Sequence, residues 1–190
     1  MKASATRLTA ADVARLCHVD IKTIHNWADK GKLACSRTEG RHLRFHRLDV
    51  LEFLRAYANP VPEALTSQRA RVCVVGDAVT LAARRALARR FDVITVADPV
   101  EALVSLVAID PDVLVIEHAP WLEDAHAIER LRHVDASRHV RVVVVSDRAD
   151  RRDDALRAGA TASIPRADLA ALREALDRIT AGLSALRDTP

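Results

Sequence analysis

The sequence predicts an α/β protein in two parts: an N-terminal domain of three short helices with an inserted hairpin, and a C-terminal five-stranded parallel (βα)5 domain. Three observations predict it. Beyond residue 70, five largely apolar runs alternate with helical patterns, as strands covered on both faces by crossover helices do. Before residue 60, apolar residues recur at helical spacing and are interrupted by one arginine-rich reversal. Between them, "ANPVPEALTSQRA" (58–70) carries Pro60 and Pro62, which remove backbone donors and bias their predecessors away from helix, so a helix stops near Asn59. The domains are thus assigned to 1–59 and 70–190, with 60–69 as linker. At 190 residues, 49% hydrophobic and 29% charged, the chain suffices for one ordinary domain plus a small one.

In the first domain, "LTAADVARLC" places Thr9 three residues before Asp12, a reciprocal cap for a helix whose Val13, Leu16 and Cys17 share a face. After His18 and Val19 comes "DIKTIHNWADKGKL". Here Asp20 can cap a second helix, Ile24 and Trp27 point inward, and Gly31 lets the chain leave. Two short helices so closely spaced form a helix-turn-helix. "KLACSRTEGRHLRF" then holds two extended runs joined by a Thr-Glu-Gly turn, in which Gly40 is expected to take the positive φ of a tight reversal. A hairpin after a helix-turn-helix is a wing. "HRLDVLEFLRAYA" closes the core with a third helix through Leu48, Leu51 and Leu54 or Phe53. Trp27 and Phe45 sit at inward positions and read as core anchors rather than base-stacking platforms.

Charge is concentrated in the same domain. Residues 1–68 hold 11 Lys and Arg against 7 Asp and Glu, leaving 18 against 19 for the rest of the chain. Only the N-terminal part therefore has the bias of a polyanion binder. Within it, "RTEGRHLRFHRLDV" (37–50) sets four arginines and two histidines around one glycine. Double-stranded DNA presents closely spaced phosphates with condensed counterions, which a projecting loop of Arg37, Thr38, Gly40, Arg41, His42, Arg44 and Arg47 can displace. Ile21, Lys22, Thr23, His25 and Asn26 of the second helix are then expected to face the major groove, and Lys30 belongs to the same DNA surface.

The run from Leu8 to Leu54 resembles the winged helix-turn-helix of MerR-like, excisionase and BldC-type DNA-binding domains. It supplies Val19, Thr23, Ile24, Trp27, Gly31, Leu33, Arg37, Thr38, Gly40, His42, Arg44, Phe45, Asp49 and Val50 at the family's positions. It departs in having Asp20 for a serine, Glu39-Gly40-Arg41 for a glycine pair, and Leu43 for an arginine. The resemblance implies DNA binding and leaves the target sequence open.

In the second domain, "RVCVV" (71–75), "DVITV" (92–96), "DVLVI" (112–116), "VRVVVV" (140–145) and "TASI" (161–164) are the expected strands. The ligand crevice of such a sheet lies beyond the carboxyl ends, which carry Gly76-Asp77, Glu117, Ser146 and Arg166. Order, spacing and the ending "RAGATASIPRADLAALREAL" resemble the flavodoxin-like receiver domain of two-component response regulators over residues 70–182. That resemblance implies magnesium-binding acids after the first strand, a phospho-accepting aspartate after the third, Ser or Thr after the fourth and lysine after the fifth. Asp77 and Ser146 match; Gly76 replaces one acid, Glu117 the acceptor, and Arg166-Ala167 the Lys-Pro pair. Losing one carboxylate weakens a magnesium site, and a longer acceptor side chain misplaces the attacking oxygen, so a pseudo-receiver without phosphorylation is expected. Two roles fit Glu117: a fixed negative charge paired with Arg166, or an ordinary structural residue. Trp121, beside Pro120, either lines a ligand or partner surface or covers the sheet. "DLAALREALDRITAGLSAL" (168–186) is a long amphipathic helix with Leu169, Leu172, Leu176, Ile179 and Leu183 in one stripe, whose excess length is expected to pair two copies into a homodimer.

The remaining features narrow the class. Cys17, Cys35 and Cys73 are odd in number and widely spaced, so they read as small buried residues rather than a disulfide framework or zinc site. No apolar run approaches the ~20 residues needed to span a bilayer, and no signal-peptide core opens the chain, so a cytoplasmic, nucleoid-associated protein is expected. No nucleophile–base pair, glycine-rich phosphate loop or metal cluster suggests an enzyme, and no cofactor is expected. The favoured reading is a transcriptional regulator whose second domain mediates dimerisation or senses a protein partner or small ligand. A DNA-architectural or recombination-directionality protein, and a regulator still controlled by phosphorylation, are the alternatives.

Overall fold

The computed structural model describes residues 7–117, 126–134 and 137–181, in two compact units that divide between Gln68 and Arg69. Trp121 and Leu183, singled out above, lie outside the described residues. Among the described residues no helix is long and apolar enough to cross a membrane.

The first unit runs β1 (Arg7–Thr9), α1 (Ala10–Cys17), α2 (Ile21–Asp29), β2 (Ser36–Arg37), β3 (Leu43–His46), α3 (Arg47–Ala56) and α4 (Glu63–Thr66). The expected cap of α1 is closed from both sides. Thr9 N–H donates to Asp12 Oδ2 at 3.0 Å, and Asp12 N–H donates to Thr9 Oγ1 at 3.1 Å. Hydrogen bonds from the Thr9 hydroxyl and backbone hold the Asp12 carboxyl below the ordinary aspartate range. His18 leaves α1 in the left-handed region (φ 54°), and Val19 N–H returns to the Ala14 carbonyl at 3.0 Å. Asp20 departs from expectation: it stands at the N-cap of α2, yet its side chain makes no capping bond. Its backbone carbonyl accepts from Thr23 N–H instead, at 2.9 Å.

The hairpin β2–β3 gains a third strand that the sequence did not announce. β1 pairs antiparallel with β3, giving the order β1-β3-β2. Val13, Ile24, Leu33, Phe45, Val50 and Leu54 form the core. Trp27 is half-buried against it, with its ring 4.8 Å from that of Phe53. The stretch expected as a linker is partly structured, because α4 inserts Leu65, only 3% exposed, into this core. Burial of one leucine of roughly 2 kcal/mol is enough to dock a helical turn that local sequence would leave free.

The second unit alternates β4 (Arg71–Val75), α5 (Leu81–Leu87), β5 (Asp92–Val96), α6 (Pro99–Ile109), β6 (Val113–Glu117), α7 (His126–His133), β7 (Arg141–Val145), α8 (Ala149–Arg157), β8 (Ala162–Ile164) and α9 (Leu169–Ile179). All five strands are parallel in the order β5-β4-β6-β7-β8. Side chains alternate between the faces. Cys73, Val75, Leu114, Ile116, Val142 and Val144 pack with Ala102 and Leu106 of α6, Ile128 of α7 and Ala155 of α8. Val72, Val74, Val113, Val115, Val143 and Val145 are equally buried on the other face. The strand order reverses at β4, so the crevice of the sheet lies where the chain leaves β4 and β6.

None of the three cysteines is in a disulfide. Cys73 is buried within β4, which pushes its thiol up to about 11, whereas Cys17 and Cys35 are only half-buried.

Candidate functional site

The two surfaces expected from the sequence are built very differently. On α2, burial of Ile24 and packing of Trp27 turn Ile21, Lys22, His25 and Asn26 outward; Thr23 is half-buried, and Lys30 just past the helix is exposed. The wing that follows is organised by Thr38. Its N–H donates to the His42 carbonyl (3.0 Å), its carbonyl accepts from Arg41 N–H (2.7 Å), and its hydroxyl accepts from His42 N–H (3.2 Å). The left-handed residue of this turn is Arg41 (φ 60°), not Gly40 as expected. A Cβ on Gly40 would meet the exposed ring of His42, Cδ2 at 3.2 Å, so the glycine leaves room for that side chain.

The arginines of the wing divide by what they touch. Arg37 donates to the Asp29 carboxylate at 3.1 Å and to the Arg41 carbonyl at 3.4 Å, tying the wing to the end of α2. Arg44 is half-buried and donates to the Leu43 carbonyl at 3.0 Å. Arg47, expected on the phosphate surface, is only 5% exposed, and its guanidinium reaches the Gln68 carbonyl at 3.4 Å. It opens α3 on the inward side, where the chain turns from β3 into the core, so it is a structural residue of this unit. Lys22, Lys30 and Arg41 are exposed and make no side-chain hydrogen bond or ion pair among the described residues. His25, Asn26 and His42 are exposed as well.

At the carboxyl edge of the parallel sheet the charges are engaged with one another. Glu117, at the end of β6, pairs through Oε1 with Arg166 Nη1 at 2.6 Å. Arg166 Nη2 also donates to the Asp77 carbonyl at 3.3 Å, and Arg166 N–H donates to Asp147 Oδ1 at 3.2 Å. The Asp77 carboxylate turns away: it is 94% exposed, 3.5 Å from Arg84. Ser146 is buried, and its Oγ accepts from Arg148 N–H at 3.3 Å. The fold thus brings Glu117, Arg166 and the Asp77 backbone together, while the Asp77 and Ser146 side chains are used elsewhere. Two participants were missed from the sequence. Arg84 donates to the Val79 and Gly76 carbonyls and clamps the β4–α5 loop, and Asp147 anchors the turn into α9. Arginine and aspartate are frequent here, so no spacing marks either one.

Beside Arg166 lies a cavity of about 200 Å³, lined by Ala78, Val79, Thr80, Ala83, Ala167 and Leu172 among others. Among the described residues no three His, Cys, Asp or Glu side chains converge as a metal ion would require.

Residues 7–58 match the model of a helix-turn-helix domain family. No curated protein matches the chain. Among solved structures, the signal receiver domain of a response regulator from Bermanella marisrubri is similar at 24% identity and a TM-score of 0.52, covering 60% of this chain and 99% of that one. A two-component response regulator of the LuxR family from Aurantimonas sp. SI85-9A1 is similar at 26% identity and 0.51, covering 60% and 87%. A response regulator from Desulfuromonas acetoxidans is similar at 20% identity and 0.50, covering 57% and 94%. Residues 7–58 are therefore a helix-turn-helix domain, and the parallel-sheet domain joined to it has the flavodoxin-like fold of response-regulator receivers.

Proposed function

We propose that this protein is a DNA-binding transcriptional regulator of the MerR/BldC-like winged type, with a second domain that works as a pseudo-receiver without phosphorylation. The observation that carries the first half is the exposed face of α2, with Ile21, Lys22, His25 and Asn26, adjoining a wing whose Arg41 is unpaired among the described residues. Lysine and arginine without internal acidic partners are what displaces phosphate counterions, and polar side chains on a helix read base edges. The protein acts by binding and not by catalysis, in the cytoplasm on the nucleoid.

The second half is supported by the Glu117–Arg166 pair at 2.6 Å. A phosphoryl acceptor must attack in line while metal and lysine neutralise the transferred group. Here the acceptor position is held by a carboxylate already matched to the cation, and the one acid retained after β4 faces solvent beside Arg84. The domain then serves self-association or the sensing of a protein partner or small ligand. Selection of bound sites from a random duplex library by the full chain tests the first half; recovery of no enriched sequence overturns site-specific regulation and favours the architectural alternative. Incubation with acetyl phosphate and magnesium, followed by intact mass, tests the second. An unchanged mass is expected, and a phosphoryl adduct restores a phosphorylation-controlled regulator.

A further inference from the structure

Ile21 is the first residue of α2 and is 49% exposed, although the same helix buries Ile24 completely. It is not among the core residues that surround Val13, Ile24 and Phe45, and about half of its surface stays open to solvent. Isolated apolar residues on a surface are ordinary. This one is distinguished by its company. Four residues on stands His25, and the adjoining row holds Lys22 and Asn26, all exposed. One patch therefore offers an apolar group among hydrogen-bonding groups at the start of a reading helix, the part of such a helix that comes nearest base edges. A β-branched side chain in a helix is held almost wholly in one χ1 rotamer, so its methyl groups are presented with little entropy left to lose.

The apolar group that projects into the major groove is the C5-methyl group of thymine; cytosine presents only a C5–H at the same place, and the remaining readable edge groups donate or accept hydrogen bonds. We infer that Ile21 packs against a thymine methyl and makes that base pair a specificity determinant of the DNA site. The inference rests on the DNA-binding reading above and adds the base that this residue selects. Alanine at position 21 keeps the helix, because it is the best helix former and the fully buried core is built by Val13, Ile24, Phe45 and their neighbours.

The test uses the full chain and a duplex selected from the random library. Each thymine is replaced in turn by deoxyuridine, which deletes the methyl and keeps the pairing edge. At one position of the bound site the replacement should weaken binding about fourfold, the effect of one methyl group removed from an apolar environment. The Ile21→Ala protein should bind thymine and uracil duplexes equally at that position while still unfolding in one cooperative transition. Selective binding with no uracil-sensitive position, or equal sensitivity in Ile21→Ala, overturns the inference and leaves the DNA-binding reading standing. Failure to bind any duplex overturns both.

Discussion

On the helix-turn-helix unit Lys22, Lys30 and Arg41 are exposed and make no ion pair among the described residues, whereas at the sheet edge Arg166 is held by Glu117 and the Asp77 carbonyl. Both regions are rich in arginine. Commitment within the fold separates them: a cation with an internal carboxylate at 2.6 Å has no counterion to exchange for a phosphate, and one without such a partner has. The same distinction operates inside the wing, where Arg37 is shared with Asp29 and Arg47 is buried.

The largest effect is expected from removing the uncommitted charges. Replacing Lys22, Lys30 and Arg41 together with alanine should abolish most duplex affinity and make the dependence of log K on log salt shallower by about 0.9 for each phosphate that is no longer neutralised. Titrations at several salt concentrations measure it. Arg84→Ala in the second domain should leave that slope unchanged. Arg47→Ala sharpens the comparison from the other side. It should cost about 2 kcal/mol in urea unfolding of the first domain, because removing a buried guanidinium leaves a void and strands the Gln68 carbonyl, while the salt slope stays as in the wild type.

Smaller effects follow at the caps and pairs. Thr9→Ala opens the cap of α1 and should lower stability by about 1 kcal/mol. Because the Asp12 carboxyl is held below its ordinary range in the folded state, the cap's contribution is complete above the unfolded-state value and is lost as pH falls through the lowered one. The difference in stability between wild type and Thr9→Ala should therefore shrink on acidification. Least of all, Glu117→Gln should change stability by less than about 1 kcal/mol, since the pair is partly exposed and surface pairs contribute little.

How much was legible depended on how local each cause is. The three buried central strands announce themselves as apolar runs, the half-buried edge strands β5 and β8 less strongly, and the Thr9–Asp12 cap needs only its own spacing. The three residues of β1 are too short to show alternation, and their partner strand β3 is remote in the chain, Leu8 facing Phe45. The positive φ fell on Arg41 because Thr38 closes the turn with three hydrogen bonds, a pattern that no glycine marks. The inward path of Arg47 depends on the carbonyl of Gln68, and the outward path of Asp77 on Arg84 from the next helix. Residue type located both surfaces, but tertiary neighbours determined which side chains remain available on them.

The most direct measurement is the salt dependence of duplex binding by the full chain, wild type against Arg41→Ala, each with and without acetyl phosphate and magnesium. A steep slope is expected for the wild type, a slope shallower by about 0.9 for the variant, and no response of either to the phosphodonor. A variant slope equal to the wild type's, or a slope that shifts when the phosphodonor is added, would contradict this expectation.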